Sequence, residues 1–166
     1  DNGISYESSQ IVVSTGAKQS IANVCMVLLN PGDEVLLPAP YWVSYSAIAT
    51  LAEAESKIIP TSIDTDFKIT PEQLENSINS KTKLVMFNSP NNPSGTIYTE
   101  NELRALGKVL EKYPNIYILS DEIYEHINYG TPHFSIASIP ELYERTITVN
   151  GVAKAFAMTG WRIGYI

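Results

Sequence analysis

Apolar runs typical of β-strands alternate with helical patterns along the whole chain, and this alternation limits the folds open to it. Several runs are continuously apolar, as expected for strands buried on both faces of a sheet. The order predicts an α/β fold, a three-layer α/β/α sandwich around a mostly parallel sheet of about seven strands. The predicted strands are Ile11–Thr15, Glu34–Pro38, Ser56–Pro60, Leu84–Asn88, Ile116–Ser120, Thr146–Val149 and Trp161–Ile166.

The helical patterns between these strands carry recognisable start signals. Thr70 is a predicted N-cap, and Thr99 forms a predicted capping box with Glu102. The predicted helices are Lys18–Leu29, Trp42–Leu51, Pro71–Ile78, Glu100–Tyr113 and a short one at Glu141–Arg145.

The composition is typical of one globular domain. The 166 residues are 44% hydrophobic and 17% charged, which is enough for a sizeable core. The net charge of −7 and the lack of a dense basic patch argue against nucleic-acid binding. We expect no membrane partner, since no apolar run is long enough to cross a bilayer and no signal-peptide pattern is present. Cys25 is the single cysteine; we expect a small core residue, in a protein from a reducing compartment.

Four polar segments follow the carboxyl ends of predicted strands. Ligands of open parallel sheets bind at that edge, so we expect these segments to form one site. They are Thr15-Gly16, Asn88 to Gly95, Ser120 to Tyr124 and Asn150 to Lys154.

The last of these segments contains the strongest candidate for chemistry, Lys154. It lies between Ala153 and Ala155, which is not typical of a solvated surface lysine. An amine that is held and partly desolvated has a lowered pKa and can attack a carbonyl. Arg162 follows as a fixed cation suited to bidentate phosphate binding. The pair predicts an amine nucleophile and a phosphate anchor, as an aldehyde cofactor carrying a phosphate requires.

Three further segments offer binding groups, each with a purely structural alternative. The turn Ser14–Gln19 can present free backbone N–H groups to a phosphate, or can be an ordinary strand-to-helix turn. Trp42 can stack on a heteroaromatic ring or pack in the core. Asn92 can donate its side-chain amide to a phenolate or carboxylate oxygen, or serve an Asn-Pro turn.

Asp121 directly follows a predicted strand, where its carboxylate can stay ionised beneath a ring nitrogen and keep that nitrogen protonated. The alternative is a helix N-cap. Tyr124 could then reach a ring oxygen, whereas Glu122 is expected to be structural. His126 and His133 have no matching ligand cluster, so we expect no metal site. No serine sits in a nucleophile elbow, which argues against a Ser-His-Asp triad.

The motifs TGAKQ, PAPYWVSY, NSPNNPSGT, SDEIYE and NGVAKAFAMTGWRIGY occur in this order. With them the chain resembles the large domain of the fold-type I, pyridoxal-phosphate-dependent class I aminotransferases, and is most similar to the bacterial aspartate aminotransferase branch. The resemblance covers essentially the whole chain. It implies a mixed sheet and a single cofactor-binding domain over residues 1–166. An N-terminal arm and a C-terminal small domain would belong to a longer parent protein.

The resemblance implies a role for each candidate residue. Lys154 is expected to form an internal aldimine with pyridoxal 5'-phosphate and to move the proton between the substrate Cα and the cofactor C4′. Asp121 would pair with the pyridinium nitrogen, and Trp42 would stack on the ring. Tyr124 and Asn92 would bond the ring oxygen. The residues expected around the phosphate are Gly16, Ala17, Lys18 and Arg162, and those expected to bind substrate are Lys18, Trp42 and Asn92.

The resemblance also implies amino-group transfer between an amino acid, expected to be aspartate, and a 2-oxo acid, expected to be 2-oxoglutarate. A lysine matching Lys18 can reach the distal carboxylate of such substrates in this branch. The family acts as a homodimer, and we expect a cytoplasmic protein. The family's arginine for the substrate α-carboxylate lies in the small domain, so we expect little activity from this piece alone. Alternatives are a lyase or decarboxylase on the same scaffold, and a regulatory domain that binds the cofactor without transamination.

One departure from the family pattern concerns the phosphate. Many relatives carry serine directly before the lysine or three residues before it, where a hydroxyl can assist the phosphate. Here these positions are Ala153 and Gly151. We expect backbone N–H groups or water to substitute.

Overall fold

The computed structural model describes residues 2–130 and 132–166, and it contains one seven-stranded sheet. The strands occur in the order β1-β7-β6-β5-β4-β2-β3. All neighbouring pairs are parallel except those of β7, which runs antiparallel to β1 and β6. The predicted mostly parallel, mixed sheet is therefore confirmed. The strand bounds are β1 Val13–Ser14, β2 Glu34–Pro38, β3 Glu55–Ile59, β4 Thr82–Asn88, β5 Tyr117–Asp121, β6 Thr146–Gly151 and β7 Gly164–Tyr165.

Four α-helices of the described residues connect these strands, and their start signals act as predicted. The Thr70 and Thr99 hydroxyls accept hydrogen bonds from backbone N–H groups in the first helical turn, at 3.1 and 3.3 Å. The capping box of Thr99 with Glu102 is confirmed. The helices are α1 Ala17–Leu28, α2 Ser44–Leu51, α3 Pro71–Ser77 and α4 Glu100–Leu110.

Helices cover both faces of the sheet, which confirms the three-layer sandwich. On β2, Val35 and Leu37 face the layer of α1 and α2, while Leu36 faces the layer of α3 and α4. The same alternation holds on β4. The apolar residues of these two central strands are thus buried on one side or the other, because a parallel sheet between two helical layers has no solvated face at its centre. Cys25 is fully buried in the α1 layer, as expected, and burial raises the pKa of its thiol to about 12.

The sheet edge around β7 differs from the prediction. Trp161–Ile166 was expected to be one strand, but a 3₁₀ turn occupies Thr159–Trp161, and Arg162 has a left-handed backbone with φ 52°. Only Gly164–Tyr165 joins the sheet. β1 is also shorter than predicted and lies at the edge, where Val13 is 69% exposed. The short predicted helix at Glu141–Arg145 is a 3₁₀ turn over Tyr143–Arg145.

The connections leave a crevice at one edge of the sheet. The chain passes from β2 to α2 in one layer and from β4 to α4 in the other, although β2 and β4 are neighbours. Such a reversal opens a crevice beyond the carboxyl ends of the strands. No helix of the described residues combines the length and apolarity needed to cross a bilayer.

Candidate active site

A cavity of about 190 Å³ lies beyond the carboxyl ends of β2, β4, β5 and β6. All residues predicted for the site line it except Gly16, which contacts the lining residue Arg162. The structure thus brings together side chains from five separate parts of the sequence. It also adds Tyr45 and Thr159, which lie outside the four predicted segments, and Asn88, Ile123 and Ala153, which lie within those segments but had no predicted role of their own.

Asp121 is the buried acid of this cavity. It is the last residue of β5 and is 4% exposed. Its carboxylate accepts hydrogen bonds from the Tyr45 hydroxyl at 2.7 Å and from the Ile123 N–H at 3.2 Å. Burial raises the pKa of Asp121 from 3.8 to about 6, although these two hydrogen bonds lower it. A non-helical turn follows Asp121, so the N-cap alternative is wrong, and near neutral pH the carboxylate favours a cation in the cavity.

Tyr45 fixes both Asp121 and Trp42. Its hydroxyl donates to Asp121, and its ring meets the Trp42 ring edge-on at a centroid distance of 5.5 Å. Burial and the nearby Asp121 charge keep the pKa of Tyr45 well above its ordinary value, so the hydroxyl stays a donor. The spacing of three residues is a sequence signal for the contact with Trp42 only, and it says nothing of the hydrogen bond to Asp121.

Asn92 is held over the cavity by Asn88. The Asn88 side chain donates to the Asp121 carbonyl at 2.9 Å and accepts from the Asn92 N–H at 2.7 Å. Among the described residues, the Asn92 side-chain amide bonds to no protein group. The turn itself is built by Asn91, whose side chain accepts from the Ser94 N–H at 3.0 Å. The structural alternative therefore applies to Asn91 and leaves Asn92 available to a ligand.

Lys154 lies in the turn after β6, at the mouth of the cavity. Its Nζ is 5.8 Å from the centroid of the Tyr124 ring, within reach of a cation–π contact. The expectation of a partly desolvated lysine is wrong for this structure, because the residue is exposed. The small neighbours Ala153 and Ala155 leave the amine uncrowded, and solvent reaches it from the open side of the cavity.

One end of the cavity is suited to an anion. The Ala17 and Lys18 N–H groups, in the first turn of α1, donate to no acceptor among the described residues. Gly16 precedes them with φ +87°, and the Arg162 guanidinium lies so close that a Cβ on Gly16 would overlap Arg162 Nη2. Arg162 makes no ion pair with an acid among the described residues. Free N–H groups at a helix start beside a cation form a phosphate-type site.

Lys18 stands at the mouth of the cavity beside Trp42. Its Nζ lies 4.8 Å from the centroid of the Trp42 ring, and the residue is exposed. The cation can therefore reach a carboxylate of a ligand that lies in the cavity near the Trp42 ring.

A buried polar cluster surrounds Glu122, the residue that follows β5. Glu122 is fully buried and accepts hydrogen bonds from Ser120 at 2.8 Å and Ser135 at 2.6 Å, while His133 Nε2 lies 2.8 Å from its other oxygen. Glu122, Glu125 and His133 offer ligand-type atoms within 4.8 Å of one another, a grouping that the sequence analysis missed. Both Glu122 oxygens are already hydrogen-bonded, which fits its predicted structural role. The expected absence of a metal site stays a prediction.

Comparison with protein families gives a match over the whole chain. The model described as "Aminotransferase class I and II" matches residues 1–166. The chain is 50% identical to a "Bifunctional aspartate aminotransferase and glutamate/aspartate-prephenate aminotransferase" of Petunia hybrida, covering 100% of the chain and 35% of that protein. It is 48% identical to an "Aspartate/prephenate aminotransferase" of Nitrosomonas europaea, covering 99% of the chain and 42% of the relative.

Solved structures agree with this match. An aspartate aminotransferase from Rhizobium meliloti superposes with a TM-score of 0.97 at 48% identity, over 99% of this chain and 42% of that one. An aspartate aminotransferase from Thermus thermophilus with maleate gives a TM-score of 0.94 at 43% identity, with the same coverage. The chain thus spans about 35–42% of the length of these similar proteins.

Proposed function

Because the chain belongs to the class I and II aminotransferase family, we propose that residues 1–166 form the pyridoxal 5'-phosphate-binding large domain of an aminotransferase. The proposed reaction moves an amino group between aspartate and 2-oxoglutarate. One observation carries the proposal: an amine, a buried carboxylate, a flat ring and an anion site surround a single cavity.

The residues present fit this cofactor. A Cβ on Gly16 would overlap Arg162 Nη2, so the guanidinium lies directly beside the start of α1, and this contact supports an anion site there. Arg162 and the Asp121 carboxylate line the same cavity. We propose that Gly16, Ala17, Lys18 and Arg162 hold the phosphate. Pyridoxal 5'-phosphate, when bound, supplies an aldehyde for the amino group and a ring that stabilises negative charge at the substrate Cα.

Lys154 is proposed to present its amine to the aldehyde carbon and then to carry the proton at the substrate Cα. Its exposed position and small neighbours give the amine freedom to reach both atoms. A general base must lie within hydrogen-bond reach of its proton in the reacting complex, and a flexible lysine side chain at the cavity mouth meets that requirement.

The remaining residues are proposed to hold the ring. Asp121, anchored by Tyr45, would bond the ring nitrogen and keep it protonated. Asn92 and Tyr124 line the same cavity and would donate to the ring oxygen. Trp42, fixed edge-on by Tyr45, would stack on the ring face.

Lys18 supports the assignment of dicarboxylic substrates. Its cation lies 4.8 Å from the centroid of the Trp42 ring, where the distal carboxylate of aspartate or 2-oxoglutarate could reach it. We expect Lys18→Gln in the full-length protein to raise KM for aspartate about 10-fold or more, since a charge-assisted hydrogen bond contributes about 1.5–3 kcal/mol. KM for a monocarboxylic amino acid should change little.

The test is oxaloacetate formation from aspartate and 2-oxoglutarate by the full-length protein. Lys108→Gln serves as the control, because Lys108 is an exposed lysine of α4. No oxaloacetate above background would rule out the proposed substrates, and an equal KM change for both substrate classes would rule out the role of Lys18.

A second acceptor deserves the same assay. Similar proteins of Petunia hybrida and Nitrosomonas europaea are named for prephenate as well as aspartate. We therefore propose prephenate as an alternative acceptor; oxaloacetate released from aspartate with prephenate in place of 2-oxoglutarate would support it, and none would exclude it. The homodimer and the cytoplasmic location stay predictions from the family resemblance.

A further inference from the structure

Strand β7 meets the start of α1 at Gly164, backbone against backbone. Gly164 is buried and lies opposite Ser14 of β1 and Gly151 of β6. A Cβ at Gly164 would overlap the Ala17 nitrogen and the Gly16 carbonyl carbon, and it would lie 2.7 Å from Ala17 Cα. The atoms in the way belong to the backbone, so no side-chain movement could make room.

Gly164 packs against the start of α1, the segment whose backbone N–H groups are free to bind an anion. Ala17 and Lys18 line the cavity, and their N–H groups have no acceptor among the described residues. Any side chain on Gly164 would push the Ala17 nitrogen away by about 1 Å to restore an ordinary van der Waals distance. Hydrogen bonds of this type span about 2.7–3.2 Å, so a shift of this size breaks the bond to an anion that is fixed elsewhere.

The other half of the anion site belongs to the segment that precedes β7. Arg162 is two residues before Gly164 on the β7 side, and its guanidinium donates to the Thr159 carbonyl at 3.1 Å. One strand end therefore sets both halves of the site: Arg162 directly, and the N–H groups of Ala17 and Lys18 through the close contact at Gly164.

We propose that Gly164 is a positioning residue for the phosphate of the bound cofactor. By having no side chain, it lets β7 hold the start of α1 at the distance from Arg162 that one phosphate group can bridge. The inference rests on the proposed function, since it assumes that the anion at this site is the cofactor phosphate.

The test compares Gly164→Ala with Gly160→Ala in the 166-residue chain. Gly160 lies in the same segment, and a Cβ there would meet nothing within 4 Å. Each protein is titrated with pyridoxal 5'-phosphate and with pyridoxal, which lacks the phosphate. We expect Gly164→Ala to lower the preference for the phosphorylated form about 10- to 100-fold, the effect of losing one hydrogen bond to a charged group. Pyridoxal affinity should stay within about 3-fold, and Gly160→Ala should behave as the unsubstituted protein.

The outcomes separate the inference from the proposed function. Equal weakening of both ligands by Gly164→Ala, or an unchanged preference, overturns the role of Gly164. An unsubstituted protein that does not prefer the phosphorylated ligand overturns the proposed phosphate site, and this inference with it.

If Gly164→Ala does not fold, amide NMR of the unsubstituted protein tests the role of Gly164. Titration with inorganic phosphate should then shift the Ala17, Lys18 and Gly164 signals together and leave Gly160 unmoved. Shifts at Ala17 and Lys18 without Gly164 would overturn the proposal, because they would show that the turn responds independently of β7.

Discussion

Asp121→Asn should gain stability relative to the unsubstituted protein as the pH rises from acidic to neutral. Asp121 has a pKa of 3.8 in the unfolded chain and about 6 in the folded protein. Between these values the folded state holds a proton that the unfolded state has lost, so the free energy of unfolding falls as pH rises through this window. Each pKa unit corresponds to about 1.36 kcal/mol, so the full cost is about 3 kcal/mol.

Over a practical range, from about pH 4.5 to about pH 7.5, about 2 kcal/mol of this cost should appear. Asparagine has no charge to bury, and its amide can still accept from the Ile123 N–H and donate to the Tyr45 oxygen. Urea unfolding of both proteins, followed by circular dichroism, gives the difference in stability at each pH. As the pH rises over this range, the free energy of unfolding of Asp121→Asn should increase by about 2 kcal/mol relative to that of the unsubstituted protein. A constant difference, or one that moves the opposite way, would refute the burial argument.

Three further substitutions, the last with a matched control, test the hydrogen bonding, helix capping and core packing of the protein. Tyr45→Phe removes the donor to Asp121; the pKa of Asp121, followed by carboxyl ¹³C NMR, should rise further, and stability at neutral pH should fall by about 1–3 kcal/mol, whereas an unchanged pKa would contradict the contact. Thr99→Ala removes the N-cap of α4 and should lower stability by about 1 kcal/mol, or Tm by about 2–4 °C in calorimetry; an unchanged Tm would show that the cap contributes nothing. Leu106 is 1% exposed, so Leu106→Ala should lower the free energy of unfolding in urea by about 2–5 kcal/mol. Leu51 is 66% exposed, and Leu51→Ala should lower it by less than about 0.5 kcal/mol. Equal losses would contradict the assignment of Leu106 to the core.

The central strands and their helices could be predicted because local sequence specifies them. β2 and β4 each contain a continuous apolar run, and Thr99 with Glu102 marks the start of α4 without help from the rest of the chain. The strand predicted from local sequence at Trp161–Ile166 was wrong, since only Gly164–Tyr165 joins the sheet. Arg162 there takes a left-handed backbone beside the Gly16 turn, a contact between residues far apart in sequence.

The candidate site shows the same division. Residues with distinctive chemistry at strand ends, such as Asp121 and Lys154, could be identified from the sequence. Tyr45 could not, because its role depends on a hydrogen bond to a residue 76 positions away. Gly164 could not either, since a glycine in a strand signals close approach without saying to what. The exposure of Lys154 depends on which elements cover the cavity mouth, and no local pattern reports that.

The central claim is that this cavity binds pyridoxal 5'-phosphate through Lys154. The most direct measurement is an absorbance titration of the protein with this cofactor, alongside Lys154→Ala and the exposed-lysine control Lys108→Ala. We predict a visible absorption band that needs Lys154 but not Lys108. After borohydride reduction the cofactor should stay attached to the protein through dialysis. A band that persists in Lys154→Ala, or no band with Lys154 intact, would contradict the account.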